Sequence, residues 1–192
     1  MPKKNPQALD FLLNRRSRPA KTLTTPVPDR DELLTILQAA ARTPDHGKLE
    51  PWRFIVVEKQ AMPRLAQAAK ERGQLLGLDA EKVEKGRAQF DQGNLAVAVI
   101  EVQKPSEKIP ELEQTYSAGA VCLALLNAAL ASGWGANWLS GWPSHDRGFM
   151  REALGLNDNE RIAGFLHIGT ETSAPPERPR PDLTEITTWM SE

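Results

Sequence analysis

Two stretches of this 192-residue chain concentrate the polar groups that chemistry needs: RRSRPAK, from Arg15 to Lys21, and TPDHGKLEPWRF, from Thr43 to Phe54. In the first, Arg15, Arg16 and Arg18 are three guanidinium groups within four residues. They repel one another, and a helix C-terminus beneath them relieves only part of that repulsion. A doubly charged phosphate would relieve more, because guanidinium forks match phosphate oxygens and the Ser17 hydroxyl adds a donor. The usual alternative for such a run is a solvated helix end. In the second stretch, Asp45, His46, Gly47, Lys48 and Glu50 lie between Pro44 and Pro51. A polar surface turn explains this as well as a site does, except that a strongly patterned helix enters it and a strand leaves it, and loops held at both ends are where sites are built.

The elements that would position these residues can be read from periodicity and punctuation. A first helix is expected from Pro6 to about Arg16, capped by Asn5, with Leu9, Leu12 and Leu13 on one face. A second starts at Asp29 with Glu32 three residues on, a capping box, and is stopped by Pro44. Trp52 to Glu58 and Leu95 to Val102 read as strands, the latter apolar enough to be covered on both faces. Between them, helices are expected from Pro63 to about Leu78 and from Ala80 to about Phe90. Pro110 opens a further helix through Ser132, apolar all round in its second half and therefore buried in a core or between subunits. In GWGANWLSGWP, Trp134, Trp138 and Trp142 recur every four residues as on a helix, but Gly133, Gly135, Gly141 and Pro143 make a short strand and loop the better reading. A helix from Ser144 to Leu154 and a strand from Ile162 to Ile168 come next. The tail, from residue 171, has four prolines and is expected to be extended and to wrap a neighbour. The sum is one α+β layered domain over residues 1–192.

Composition narrows the function. Hydrophobic residues make up 40% of the chain and charged residues 26%, and the net charge is -1. Such a balance fits a globular protein and gives no basic face for nucleic acid or an anionic membrane. The longest apolar run, Ala118 to Ala131, covers fourteen residues, short of the roughly 20 that cross a bilayer. No signal-peptide core is present, and Cys122 is the single cysteine, so neither an intrachain disulfide nor a thiolate metal cluster can form and a cytoplasmic location is the default. Dinucleotide-fold, Walker, zinc and nucleophile-elbow motifs are all absent. His167, inside a strand, reads as structural, and His145 as a surface residue at a helix start.

RRSRPAK, ARTPDHGKLEPWRFIVVE, SAGAVCLALLNAALASGWGANWLSG and IAGFLHIGT, in that order and spacing, resemble the FMN-dependent nitroreductases, most closely a small subgroup with a Pro-Asp-His loop. The resemblance runs from about Leu9 to Thr170. It implies a homodimer with a mixed, mostly antiparallel sheet flanked by helices and FMN bound at the subunit interface. Arg15, Arg16 and Ser17 match the segment that holds the flavin's phosphate and ribityl end. Arg42 and His46 match positions that reach the flavin across the interface. Trp138, Leu139 and Ser140 match the segment lining the cofactor, and Ala128 is a weaker match for a position near the nicotinamide. The implied activity is hydride transfer from NADH or NADPH through flavin N5 to a nitroaromatic, quinone or similar small flat acceptor by ping-pong turnover, with no catalytic acid or base supplied by the protein. The sequence departs from the family pattern at Lys48, Glu50 and Leu139, where Asn, Gln and a basic residue are common. A non-catalytic flavin-binding dimer and a different flavin chemistry on the same fold are the alternative readings.

Overall fold

A computed structural model describes residues 3–191; Met1, Pro2 and Glu192, which belong to the expected single domain, lie outside the described residues. The first helix, α1, spans Pro6–Asn14, with the Asn5 side chain accepting from the Ala8 N–H. It ends two residues before the expected point. Asn14 Nδ2 folds back onto the Asp10 carbonyl (3.0 Å), and Arg15 turns to extended backbone while its N–H still reaches Phe11 O. A two-residue strand β1, Leu23–Thr24, comes next. Helix α2, Arg30–Ala40, carries the expected capping box: the Asp29 carboxylate accepts from Glu32 N, and Glu32 accepts from Asp29 N.

Strand β2, Trp52–Glu58, and strand β3, Leu95–Val102, match the expected bounds and pair antiparallel. Between them lie α3, Met62–Leu75, and α4, Ala80–Asp91. Helix α5, Glu111–Ala131, leads through a turn to strand β4, Gly135–Leu139. A short 3-10 turn at Trp142–Ser144 and helix α6, Arg147–Leu154, precede the long strand β5, Glu160–Glu171. Asp146 caps α6, which is why the helix starts later than Ser144. The tail contains one helical turn, α7, Leu183–Ile186.

The sheet order is β2-β3-β5, with β4 and β1 both on β5, and each pairing is antiparallel. Alternation along β3 divides the core in two. Ala96, Ala98 and Ile100 face a cluster with α3, α4 and α6, where Phe90 stacks on Phe149 and meets Phe165 edge-on. Leu95, Val97 and Val99 face α2 and α5, packing with Ile36, Val121, Cys122 and Leu125. Strand β3 is thus covered on both faces, as its unbroken apolar run requires. Cys122 is fully buried and its thiol is pushed up to about 12 by burial, leaving it a packing residue without thiolate character.

Helix α5 is long and apolar enough to cross a bilayer by composition, yet one side of it packs into the core against β3 and α2. Its other side carries exposed Leu112, Tyr116 and Leu123, and α1 leaves Leu9, Leu12 and Leu13 in solvent. Such helices lack a partner for an apolar stripe within the single chain.

Candidate functional site

The Arg15–Arg18 segment runs as extended chain from the end of α1 and is fastened to β4: Arg18 N donates to Ala136 O (2.8 Å), and Asn137 Nδ2 donates to Arg18 O (2.7 Å). The three arginines have different fates. Arg18 is neutralised by Glu171 at the end of β5, Nε to Oε2 2.6 Å. Arg16 Nη2 donates to Pro176 O in the tail (2.9 Å), so tail and arginine segment lie against each other, and Arg180 adds a contact to Leu13 O at 3.4 Å. Arg15 Nη1 and Arg16 Nε are buried without any hydrogen-bond partner, and neither side chain forms an ion pair among the described residues. Buried guanidinium N–H groups left unpaired are costly. They line a cleft of about 460 Å³ with Asp10, Asn14, Leu130 and Trp134. The donor set, two uncompensated guanidiniums beside a half-buried Ser17, suits a phosphate.

At its other end, α5 holds the polar loop. His46 Nδ1 lies 2.6 Å from Glu113 Oε2 in the first turn of α5, and Ser117 Oγ donates to Pro44 O at 3.4 Å. Three loop residues have left-handed backbone: Gly47 (φ 71°), Lys48 (φ 54°) and Glu50 (φ 48°). The left-handed φ at Gly47 favours glycine, and a Cβ there would press on Ile109 Cδ1, the movable end of that side chain. Lys48 and Glu50 carry conformational cost that side chains other than Gly, Asn and Asp rarely bear; the Asp45 carboxylate holds the turn by accepting from Glu50 N. Arg42, at the end of α2, is exposed.

Residues 113 and 130 are 17 apart along α5, about 26 Å at 1.5 Å per residue. Arg42 and His46 therefore stand at one end of that helix, and Arg15 and Arg16 at the other. A single chain does not bring the two predicted groups together. Ala128, half-buried near the C-terminal end of α5, is on the arginine side.

Strand β4 carries the third group. Trp138 pairs with Leu166 and Leu139 with Phe165. The half-exposed Trp138 indole lies across Gly164, where a Cβ would collide with Nε1. Ser140 is exposed, and its hydroxyl is 3.1 Å from His145 Nε2. Trp142 anchors the turn into α6: its indole enters a slot between Gly73 and Gly86, and Nε1 donates to Lys82 O (2.9 Å). The three tryptophans thus point to three different surroundings, which a helix would not allow.

Beyond the end of β4 lies a second polar cleft of about 320 Å³ that sequence reading missed, lined by Glu101, Thr115, Gly119, Ser144, His145 and Arg161 among others. Glu101 is buried, and its Oε1 accepts from Thr115 Oγ1 at 2.7 Å and faces Arg161 Nη2 at 3.5 Å. The signal was present: a lone acid in LAVAVIEV. A larger cleft, about 640 Å³, separates α2 from β2. Its apolar walls include Leu33, Leu34, Leu37 and Val56; of its charged lining, Asp29 is engaged by the α2 cap and Lys59 by Gly93 O, while Arg30 and Glu58 stand at it as well, and no predicted site residue lines it.

An extended arginine segment clamped to the edge strand β4 of a five-stranded antiparallel sheet, with a central helix left half-naked, is the frame of a cofactor-binding α+β family. The Nitroreductase family model matches residues 12–170, and the chain belongs to that family. The "Putative NAD(P)H nitroreductase YdjA" of Escherichia coli (strain K12) is 34% identical over 184 residues, 95% of this chain and 99% of the relative. Among solved structures, a Nitroreductase-like family protein from Bacillus cereus has 23% identity and a TM-score of 0.80, with full coverage of both chains. A "putative nitroreductase in complex with FMN" from Desulfovibrio desulfuricans has 20% identity and a TM-score of 0.76, covering 98% of each chain.

Proposed function

We propose that two copies of this chain form an FMN-dependent oxidoreductase whose two flavin sites are each shared between subunits. The observation that carries the reading is the pair of buried, unpartnered guanidinium nitrogens, Arg15 Nη1 and Arg16 Nε. They fit a phosphate that the single chain does not supply, and Ser17 adds a hydroxyl beside them. The relatives' names support the class: one is named "Putative NAD(P)H nitroreductase" and a structural neighbour is described in complex with FMN.

The separation of roughly 26 Å along α5 supports the shared site. A two-fold axis that sets α5 of one subunit antiparallel to its partner carries His46 and Arg42 of one chain toward Arg15 and Arg16 of the other. The unpartnered stripes of α1 and α5 supply the surface for it. Each leucine they bury would contribute about 1.5–3 kcal/mol.

Bound FMN would supply the redox chemistry, taking hydride from NADH or NADPH and reducing a nitroaromatic or quinone in alternating turns. The chain's own residues bind and orient. Arg15, Arg16 and Ser17 hold the phosphate end. Trp138 offers a flat apolar face, Leu139 and Ser140 line the ring without a charge, and Ala128 lies toward the reductant. His46, fixed by Glu113, and Arg42 close the site from the partner side.

The test is direct. Protein purified with excess FMN and desalted retains yellow absorbance, and anaerobic NADH or NADPH bleaches it. A colourless product overturns the flavin assignment; a yellow product that neither nucleotide bleaches overturns the enzymatic one.

A further inference from the structure

His46 and Glu113 are 67 positions apart in sequence, and both belong to elements that are firmly held. Glu113 stands in the first turn of α5. Ser117, four residues on and so on the same face of that helix, donates to Pro44 O at 3.4 Å. The loop is closed on itself where the Asp45 carboxylate accepts from Glu50 N, and its backbone is left-handed at Gly47, Lys48 and Glu50. His46 is therefore presented by a turn that is pinned to α5 beside it.

The pair decides which nitrogen of the ring is left free. Nδ1 faces Glu113 Oε2 at 2.6 Å, and an ionised carboxylate only accepts, so the proton of a neutral His46 has to sit on Nδ1. A neutral imidazole left to itself prefers the other tautomer, with its proton on Nε2. A carboxylate behind the ring reverses that preference. The two ring nitrogens point in nearly opposite directions, so with Nδ1 turned to α5, Nε2 is turned off the chain. The side chain is 60% exposed, and among the described residues Nε2 has no partner.

We propose that Glu113 is a positioning residue of the flavin site: it holds His46 as the Nδ1–H tautomer, so that Nε2 meets the flavin as a hydrogen-bond acceptor. The proposal rests on the shared site proposed above, in which His46 crosses to Arg15 and Arg16 of the other subunit. An acceptor selects among the flavin's polar atoms. N1, N5 and the two ring carbonyls of oxidised flavin also accept and would oppose the Nε2 lone pair, whereas the ring N3–H and the ribityl hydroxyls donate and match it.

Long-range proton–nitrogen NMR of the imidazole rings reads the tautomer. The chain has three histidines, and His46→Asn assigns the His46 signals. At pH 8, where imidazoles are ordinarily neutral, FMN-supplemented protein should show His46 protonated on Nδ1. Glu113→Gln keeps an acceptor oxygen and should keep that tautomer, with FMN affinity within about threefold of the natural chain. Glu113→Ala should return the proton to Nε2 and weaken FMN about tenfold. A proton on Nε2 in the natural chain overturns the proposal, as does a tautomer or an FMN affinity that Glu113→Ala leaves unchanged, or an equal loss in both variants. A purely structural role would lower the urea midpoint of Glu113→Ala without moving the ring proton, which also overturns it. FMN methylated at N3 separates the two donors. Its penalty relative to FMN shrinks in Glu113→Ala if the donor is N3–H, and is the same in both proteins if the donor is a ribityl hydroxyl. The tautomer is measurable with or without bound flavin. Colourless protein with the proton on Nδ1 therefore refutes the flavin reading, and yellow protein with the proton on Nε2 refutes the role of Glu113.

Discussion

His46 Nδ1 lies 2.6 Å from Glu113 Oε2, which ties the Pro-Asp-His loop to the first turn of α5. The contact fixes the loop at the end of the helix opposite Arg15 and Arg16. On the proposed reading, each end of α5 then carries half of a site.

Arg15→Ala and Arg16→Ala should each weaken FMN retention by about 10- to 100-fold, the range for losing a charge-assisted hydrogen bond. Arg18→Ala should act differently. Arg18 is already paired with Glu171, so its loss should lower stability more than it lowers flavin affinity. Fluorescence titration of apoprotein with FMN, beside a urea melt, separates the two effects.

Leu12→Asp and Leu123→Asp place charges on the exposed stripes of α1 and α5. Light scattering after gel filtration should move from a dimer toward the 21.2 kDa chain, with flavin lost in parallel. A dimer that survives both changes would place the interface elsewhere.

His167 predicts a pH dependence. Burial drives its imidazole from 6.5 to about 4, and Nε2 has no partner. Between those values the unfolded chain takes up a proton that the folded chain refuses, so stability falls as pH drops from about 6.5 to about 4, by at most ~3 kcal/mol. Below that, Glu160 adds a loss of its own: its hydrogen bond from Arg53 holds the carboxyl below its usual value, and that stability disappears as it protonates. Urea midpoints at pH 7 and 4.5 should differ clearly in the natural chain and much less in His167→Leu. Equal differences in both would exclude His167 as the source.

Much of the frame was legible because its causes are local. The Asp29–Glu32 box, the strands β2 and β3 and the glycine-broken β4 arise from neighbours a few residues away. What stayed hidden depends on distant partners. Nothing near Arg18 in sequence announces Glu171, 153 positions on, and nothing near His46 announces Glu113. The two-residue β1 has too short a pattern to read, and its place depends on pairing with Thr170 and Glu171. Family resemblance named the site residues from both ends of α5, yet their separation became visible only when the helix was measured. The left-handed backbone at Lys48 and Glu50 also gives the departures from the family pattern a physical location, at two strained positions of one turn.

A hybrid-dimer experiment addresses the shared site most directly. Arg16→Ala subunits and Arg42→Ala/His46→Ala subunits, each poor at retaining FMN alone, are unfolded together, refolded as a mixture and loaded with FMN. If each site draws on both subunits, half of the dimers are hybrids and each hybrid has one intact site, so bound flavin and NAD(P)H-dependent bleaching should return to about a quarter of the natural level. Flavin content no higher than the average of the two separate variants would contradict the shared site.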